Sequence, residues 1–181
     1  MSRLFEQYKS QVVPRLLEEL KIRNRHAAPR IEKIVVSMGL GKSREEPKRL
    51  DAALQDLAVI TGQKPALRRA REAVAGFKIQ KGNIVGCLVT LRGARMYEFL
   101  DRMISIVLPR IRDFRGLPTK SFDGEGSYSF GISEQVVFPE INADKMEFVQ
   151  GMNINIVVRA REKAHSQRLL ECMGVPFQRE K

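Results

Sequence analysis

Gly39-Leu40-Gly41-Lys42-Ser43 is the run whose residue types come nearest to phosphate chemistry, with two glycines to free the backbone amides and a lysine and a serine after them. A loop of the Gly-x-x-x-x-Gly-Lys-Ser/Thr kind needs its first glycine five positions before the second. Val36 stands there, inside a β-branched run, so the wrap around a nucleoside triphosphate is missing. The turn can still receive a single backbone phosphate, since turn amides favour anions whatever bears them. Asp123, Glu125, Glu134 and Glu140 are the carboxylates available for paired acid–base work, but no His or Lys accompanies them at a recognisable spacing. They read as surface acids. Cys87 alternates within an apolar strand pattern and reads as a core thiol, while His26 and His165 have no ligand-spaced companion. No metal, no cofactor and no enzyme is implied.

The basic residues make the stronger pattern. Of 181 residues, 32 are Lys or Arg and 21 Asp or Glu, a formal charge of +11. Residues 1–100 carry 20 basic against 10 acidic side chains, residues 101–150 carry 6 against 8, and residues 151–181 carry 6 against 3. Lys64, Arg68, Arg69, Arg71, Lys78 and Lys81 crowd one segment with Glu72 as the lone acid. Fields of this kind attract polyanions, and phosphate backbones are the commonest in a cytosol. Arg30 and Lys33 flank a strand, Lys42 and Arg44 follow its turn, Gln63 and Lys64 sit in a later turn, and Thr90 and Arg92 close another strand. Hydroxyls and amides beside Arg and Lys suit RNA phosphates and 2′-OH groups. Sparse aromatics point to structured RNA read by shape rather than single strands read by stacking. A free-standing RNA chaperone is compatible with the same composition.

These residues need a scaffold, and the pattern supplies one. The longest uncharged stretch, Phe148 to Val158, is eleven residues, too short for a membrane span, and Arg3, Glu6 and Lys9 leave no room for a secretory signal. Two isolated cysteines suit a reducing, cytoplasmic setting. Leu4, Tyr8 and Val12 repeat at helical spacing until Pro14 interrupts, and Leu16, Leu17 and Leu20 make a second stripe ending near Asn24. Residues 31–37 read as a strand running into a glycine turn, and Leu50, Leu54, Leu57 and Ala58 as a helix that stops at Thr61-Gly62. Asn83 to Arg92 reads as a strand, with Cys87, Val89 and Leu91 on one face and Leu88 and Thr90 on the other. A helix with Met96, Leu100, Met103, Ile104 and Val107 follows, which Pro109 ends. Glycines 116, 124, 126 and 131 mark loops and turns over 109–131, with short strands at Tyr128–Ile132 and Gln135–Phe138. Residues 152–159 alternate with a period of two, and a last helix spans Glu162 to Met173 before Gly174. The order predicts an α+β single domain over 1–181, an antiparallel β-sheet with helices packed mainly on one face.

Several runs resemble one family. They are Pro29-Arg30-Ile31-Glu32-Lys33-Ile34-Val35-Val36, Ile60-Thr61-Gly62-Gln63-Lys64-Pro65, Val89-Thr90-Leu91-Arg92-Gly93, Met96 to Arg102, Leu108 to Gly116, and Glu134-Gln135 with Phe138-Pro139-Glu140-Ile141. In this order, from about residue 3 to Phe177, the chain resembles the family of bacterial large-subunit ribosomal protein five, which binds 5S ribosomal RNA.

The resemblance implies a structural ribosomal protein. It would bind 5S rRNA and large-subunit rRNA in the central protuberance, beside neighbouring large-subunit proteins, through Arg30, Lys33, Ser37, Gly39, Gly41, Lys42, Gln63, Lys64, Arg68, Arg69, Thr90 and Arg92. It implies that an exposed loop over 71–83, with Arg71, Phe77, Lys78, Gln80 and Lys81, meets the peptidyl-site tRNA. A side with Arg110, Arg112, Asp113, Glu134 and Glu140, within an acidic region over 109–147, would meet a basic small-subunit protein. Three departures stand out: Ser37 and Ser127 where the family has Asn, and a mostly basic stretch from Arg159 to Gln167 in place of small-polar and acidic residues.

Overall fold

The computed structural model describes residues 2–41 and 48–178. Five strands, β1 (Arg30–Gly39), β2 (Ala66–Arg69), β3 (Ile84–Leu91), β4 (Tyr128–Ile132) and β5 (Met152–Arg159), form one antiparallel sheet in the order β2-β3-β1-β5-β4. The helices are α1 (Arg3–Gln7), α2 (Val13–Glu19), α3 (Lys48–Thr61), α4 (Gly93–Arg102), α5 (Leu108–Arg110) and α6 (Lys163–Cys172). The α+β reading holds, with one sheet face buried and the other open. Along β5 Met152, Ile154, Ile156 and Val158 are buried, and along β3 Cys87, Val89 and Leu91, as the period of two requires. The chain divides into two compact units: Met1–Val35 with Leu91–Phe130 and Ile154–Lys181, and Val36–Thr90 with Gly131–Asn153.

In the first unit α1 packs on α4, and Phe5, Tyr8 and Tyr97 meet with ring centroids 4.9 Å (Phe5–Tyr97) and 6.0 Å (Tyr8–Tyr97) apart. The Tyr8 hydroxyl donates to the Pro29 carbonyl at 3.0 Å, fixing the chain just ahead of β1. Neither proline breaks its helix, contrary to the sequence reading. A π-helical turn, Tyr8–Val12, runs directly into α2, and another, Met103–Val107, runs into α5. Each closes on the residue before the proline: the Val13 N–H donates to the Tyr8 carbonyl, and the Leu108 N–H to the Met103 carbonyl. A proline ring collides with the carbonyl four residues back, and a widened turn moves that carbonyl aside. Pro109 therefore sits at the start of a last helical turn, and the helix ends at Arg110, one residue later than expected.

In the second unit α3 ends as the sequence suggests. Gly62 adopts φ +64 and its N–H donates to the Ala58 carbonyl at 2.8 Å. Gln135–Val137 is a 3-10 turn rather than the expected strand. The reason is Gln135, fully buried, whose amide donates to the Phe148 carbonyl at 2.6 Å and accepts the Gln150 N–H at 2.6 Å. A buried amide so engaged fixes the backbone of two loops at once and leaves no ladder for a strand.

Candidate nucleic-acid interface

The second unit carries most of the expected RNA-binding residues. At the end of β1 Val36 and Met38 are buried, as is Leu40 just after it, so Ser37 and Gly39 alternate onto the open side; on β3 Thr90 does the same. Gly86 is the close-packing point of these neighbouring strands. A Cβ there would stand 2.7 Å from the Met38 carbonyl oxygen, so only glycine lets β1 and β3 meet. The α3 terminus positions Gln63, whose amide donates to the Thr90 carbonyl at 3.4 Å, while the Thr61 hydroxyl donates to the Leu57 carbonyl at 2.6 Å. Lys64, Arg68 and Arg69 follow, all exposed. Arg69 is not a spare cation: its guanidinium donates to the Gly82 carbonyl at 3.2 Å and ties the two arms of a hairpin. Lys42 and Arg44 lie outside the described residues, with Ser43; Gly41, just before them, is exposed.

That hairpin joins β2 to β3. Ala66 pairs with Leu88, Leu67 with Cys87 and Arg68 with Gly86, and then a bulge brings Arg69 opposite Ile84. β2 is an edge strand exposed along its length, and paired arginines with a bulge are the devices that keep such an edge from recruiting another chain. Beyond it Ala70 and Asn83 close at 2.8 Å, Val74 and Ile79 pair through bonds of 2.9 and 3.1 Å, and Lys78 turns the chain at φ +53. Arg71, Phe77, Lys78, Gln80 and Lys81 all lie on this hairpin and all five are exposed, Phe77 to 77%, while Ile79 between them is half-buried. An inward-packed Phe77 is excluded.

In the first unit Arg30 is exposed and Lys33 half-buried. Arg92 lies 3.5 Å from the Glu32 carboxylate, so part of its charge is answered within the protein. The residues assigned to a protein-facing side fall into both units. Arg110, Arg112 and Asp113, the last at φ +53, are exposed in the first; Glu134 is exposed in the second, which also holds Glu140. Asp123 is a turn former: its carboxylate accepts the N–H groups of Glu125 at 3.0 Å and Ser127 at 2.7 Å.

The features suggesting catalysis resolve the other way. Val36 is fully buried within β1, where a phosphate loop would need a free glycine. Cys87 is buried and burial pushes its thiol above the ordinary range, the reverse of an activated nucleophile. His165 stands 3.8 Å from Glu162 at the start of α6. Among the described residues no group of three or more His, Cys, Asp or Glu gathers as metal ligands, and no helix is long and apolar enough to cross a membrane.

Two contributors escape sequence reasoning. Asn153 is exposed on the open side of β5, and the period of two was its only signal. Gln150 donates to the Gly39 carbonyl at 3.0 Å, holding the end of β1 from a distant loop, and nothing local announces it.

Residues 24–80 match the family model described as Ribosomal protein L5, and residues 84–177 match the companion model for the C-terminus of the same ribosomal family. The chain is similar to the large ribosomal subunit protein uL5 of Syntrophomonas wolfei, 48% identical over 98% of this chain and 99% of that one. The uL5 of Carboxydothermus hydrogenoformans is 49% identical over 99% and 100%, and that of Anaeromyxobacter sp. strain K is 51% identical over 97% and 98%. With both halves matched in order and full-length relatives half identical, the chain belongs to the uL5 family, non-enzymatic structural proteins of the large ribosomal subunit.

Proposed function

We propose that residues 1–181 act as one module that binds 5S rRNA and helps attach it to large-subunit rRNA and neighbouring proteins in the central protuberance. In this reading the hairpin over 71–83 touches the peptidyl-site tRNA, and the acidic region over 109–147 meets a basic small-subunit protein. One observation carries the RNA reading: the open side of the sheet in the second unit keeps Ser37, Thr90 and Asn153 outside the core, with Lys64 and Arg68 exposed on the same unit. Hydroxyls and an amide can read 2′-OH groups there, while the cations take phosphates. Filter binding of 5S rRNA across a salt series tests it. Each phosphate neutralised contributes a log–log slope of about −0.7 to −0.9. Lys64→Ala should reduce the slope by about one, whereas Thr90→Ala should weaken binding at unchanged slope. Binding indifferent to salt would overturn the reading.

A further inference from the structure

In the first unit, four arginines are answered by carboxylates. Arg3 lies 2.7 Å from Asp101, Arg15 2.8 Å from Glu19, Arg168 2.6 Å from Glu19 and 3.0 Å from Glu171, and Arg92 3.5 Å from Glu32. Glu19, held between two guanidiniums, has its pKa drawn down to about 2. Three other arginines of this unit gather without such a partner. A cleft of about 420 Å³ is lined by Arg30, Arg159, Arg161 and His26, with only alanines completing the wall. No carboxylate lines it, and among the described residues none of the three arginines has an ion pair.

The fold forces these charges together. β1 and β5 are antiparallel neighbours, so the start of one, Arg30, and the end of the other, Arg159, share an end of the sheet. Ile31 and Val158 are buried, which turns the adjacent Arg30 and Arg159 to the outside. Arg161 follows in the bend before α6. Ala27, Ala28 and Ala160 have only methyl side chains, which leaves the cleft open to a ligand. Like charges held this near repel one another, and an anion between them reverses the sign of that interaction. Guanidinium groups present planar forks that match phosphate oxygens in pairs.

We infer that this cleft is a second phosphate-binding site of the protein, distinct from the open sheet side of the second unit, and that its ligand is an RNA phosphodiester. The inference rests on the proposed rRNA binding and adds to it a site whose centre is Arg159 and Arg161. Those phosphates can come from 5S rRNA or from large-subunit rRNA, and the test separates the two.

The full-length protein is compared with Arg159→Ala/Arg161→Ala and Arg159→Lys/Arg161→Lys in filter binding to each RNA across a salt series. Both arginines are exposed, so circular dichroism should show all three proteins equally folded. The alanine pair should lower the log–log salt slope by about 1.4 to 1.8 for one of the two RNAs, and the lysine pair should restore it. The RNA whose slope falls is the source of the phosphates. Slopes unchanged for both RNAs would overturn the inference while leaving 5S binding by the sheet intact. A slope that the lysines fail to restore would also overturn it, since the slope counts neutralised phosphates and not the fork's hydrogen bonds. If the wild-type protein bound neither RNA, the proposed function would fall first and this site with it.

Discussion

The loop over 116–128 and the hairpin over 70–83 look alike as sequence, each marked by glycines and short of regular pattern, yet they have opposite structures. At Gly116, with φ +100, a Cβ would lie 2.8 Å from the Gln178 nitrogen and 2.9 Å from the Phe177 carbonyl carbon. Leu117 exchanges backbone bonds with Pro176 at 2.8 Å and Gln178 at 2.9 Å. Phe122, Tyr128 and Phe177 close over this crossing with ring centroids 4.6, 5.3 and 5.6 Å apart. The glycine there is a place where another strand of backbone passes. In the hairpin, a Cβ at Gly76 would meet nothing within 4 Å, and the one aromatic points into solvent. What a glycine-marked loop can do is decided by what packs on it. The first loop is committed to the fold, and the second keeps most of its side chains in solvent.

Matched substitutions in the two loops test that contrast most severely. Gly116→Ala must adopt a left-handed backbone and push Phe177 and Gln178 away, an expected loss of about 3 kcal/mol. In a chain of this size that lowers the melting temperature by about 10 °C in calorimetry. Gly76→Ala, with no positive φ and open space, should stay within about 0.5 kcal/mol of wild type. Equal effects would erase the distinction.

A smaller change refines it. The buried Tyr128 hydroxyl donates to the Pro118 carbonyl at 2.9 Å, and burial pushes its pKa to about 12. Tyr128→Phe keeps the ring cluster but strands that carbonyl, an expected cost of about 1 kcal/mol by urea denaturation. No change would mean that the rings alone hold the loop. The smallest stability effect belongs to Phe77→Ala, expected within about 0.5 kcal/mol because the ring is already exposed. Its consequence should appear instead as faster tRNA dissociation from the peptidyl site of reconstituted ribosomes; an unchanged rate would leave the exposed ring without that role.

Local chemistry is readable where the deciding contacts are local, except at Pro14 and Pro109, where a widened turn keeps the helix going. The alternation over 152–159 was delimited residue for residue, and Thr61-Gly62 stopped α3 as a helix-ending glycine does. Misreadings occurred where partners are remote. Gln135–Phe138 looks like a strand because its apolar residues are β-compatible, but Gln135 is claimed by Phe148 and Gln150. At the interface, residue types and exposure were legible, whereas the partner of Arg92 at Glu32, the tether from Arg69 to Gly82 and the convergence of Arg159 on Arg30 depend on pairings that no short window contains. Lys42, central to the sequence reading, lies outside the described residues.

The two widened turns ahead of Pro14 and Pro109 have a consequence for how the helices are clocked. A helix advances about 100° per residue, so accommodating one extra residue in a turn rotates everything after it by that angle. Such a turn would ordinarily be free to relax back to regular geometry. Here it is not, because relaxation would drive a proline ring into a carbonyl at a cost of about 3 kcal/mol. Each proline works as a pawl. It holds the second half of its helix at a fixed phase to the first, with Val12, Val13 and Leu16, and likewise Met103, Val107 and Leu108, buried across the join.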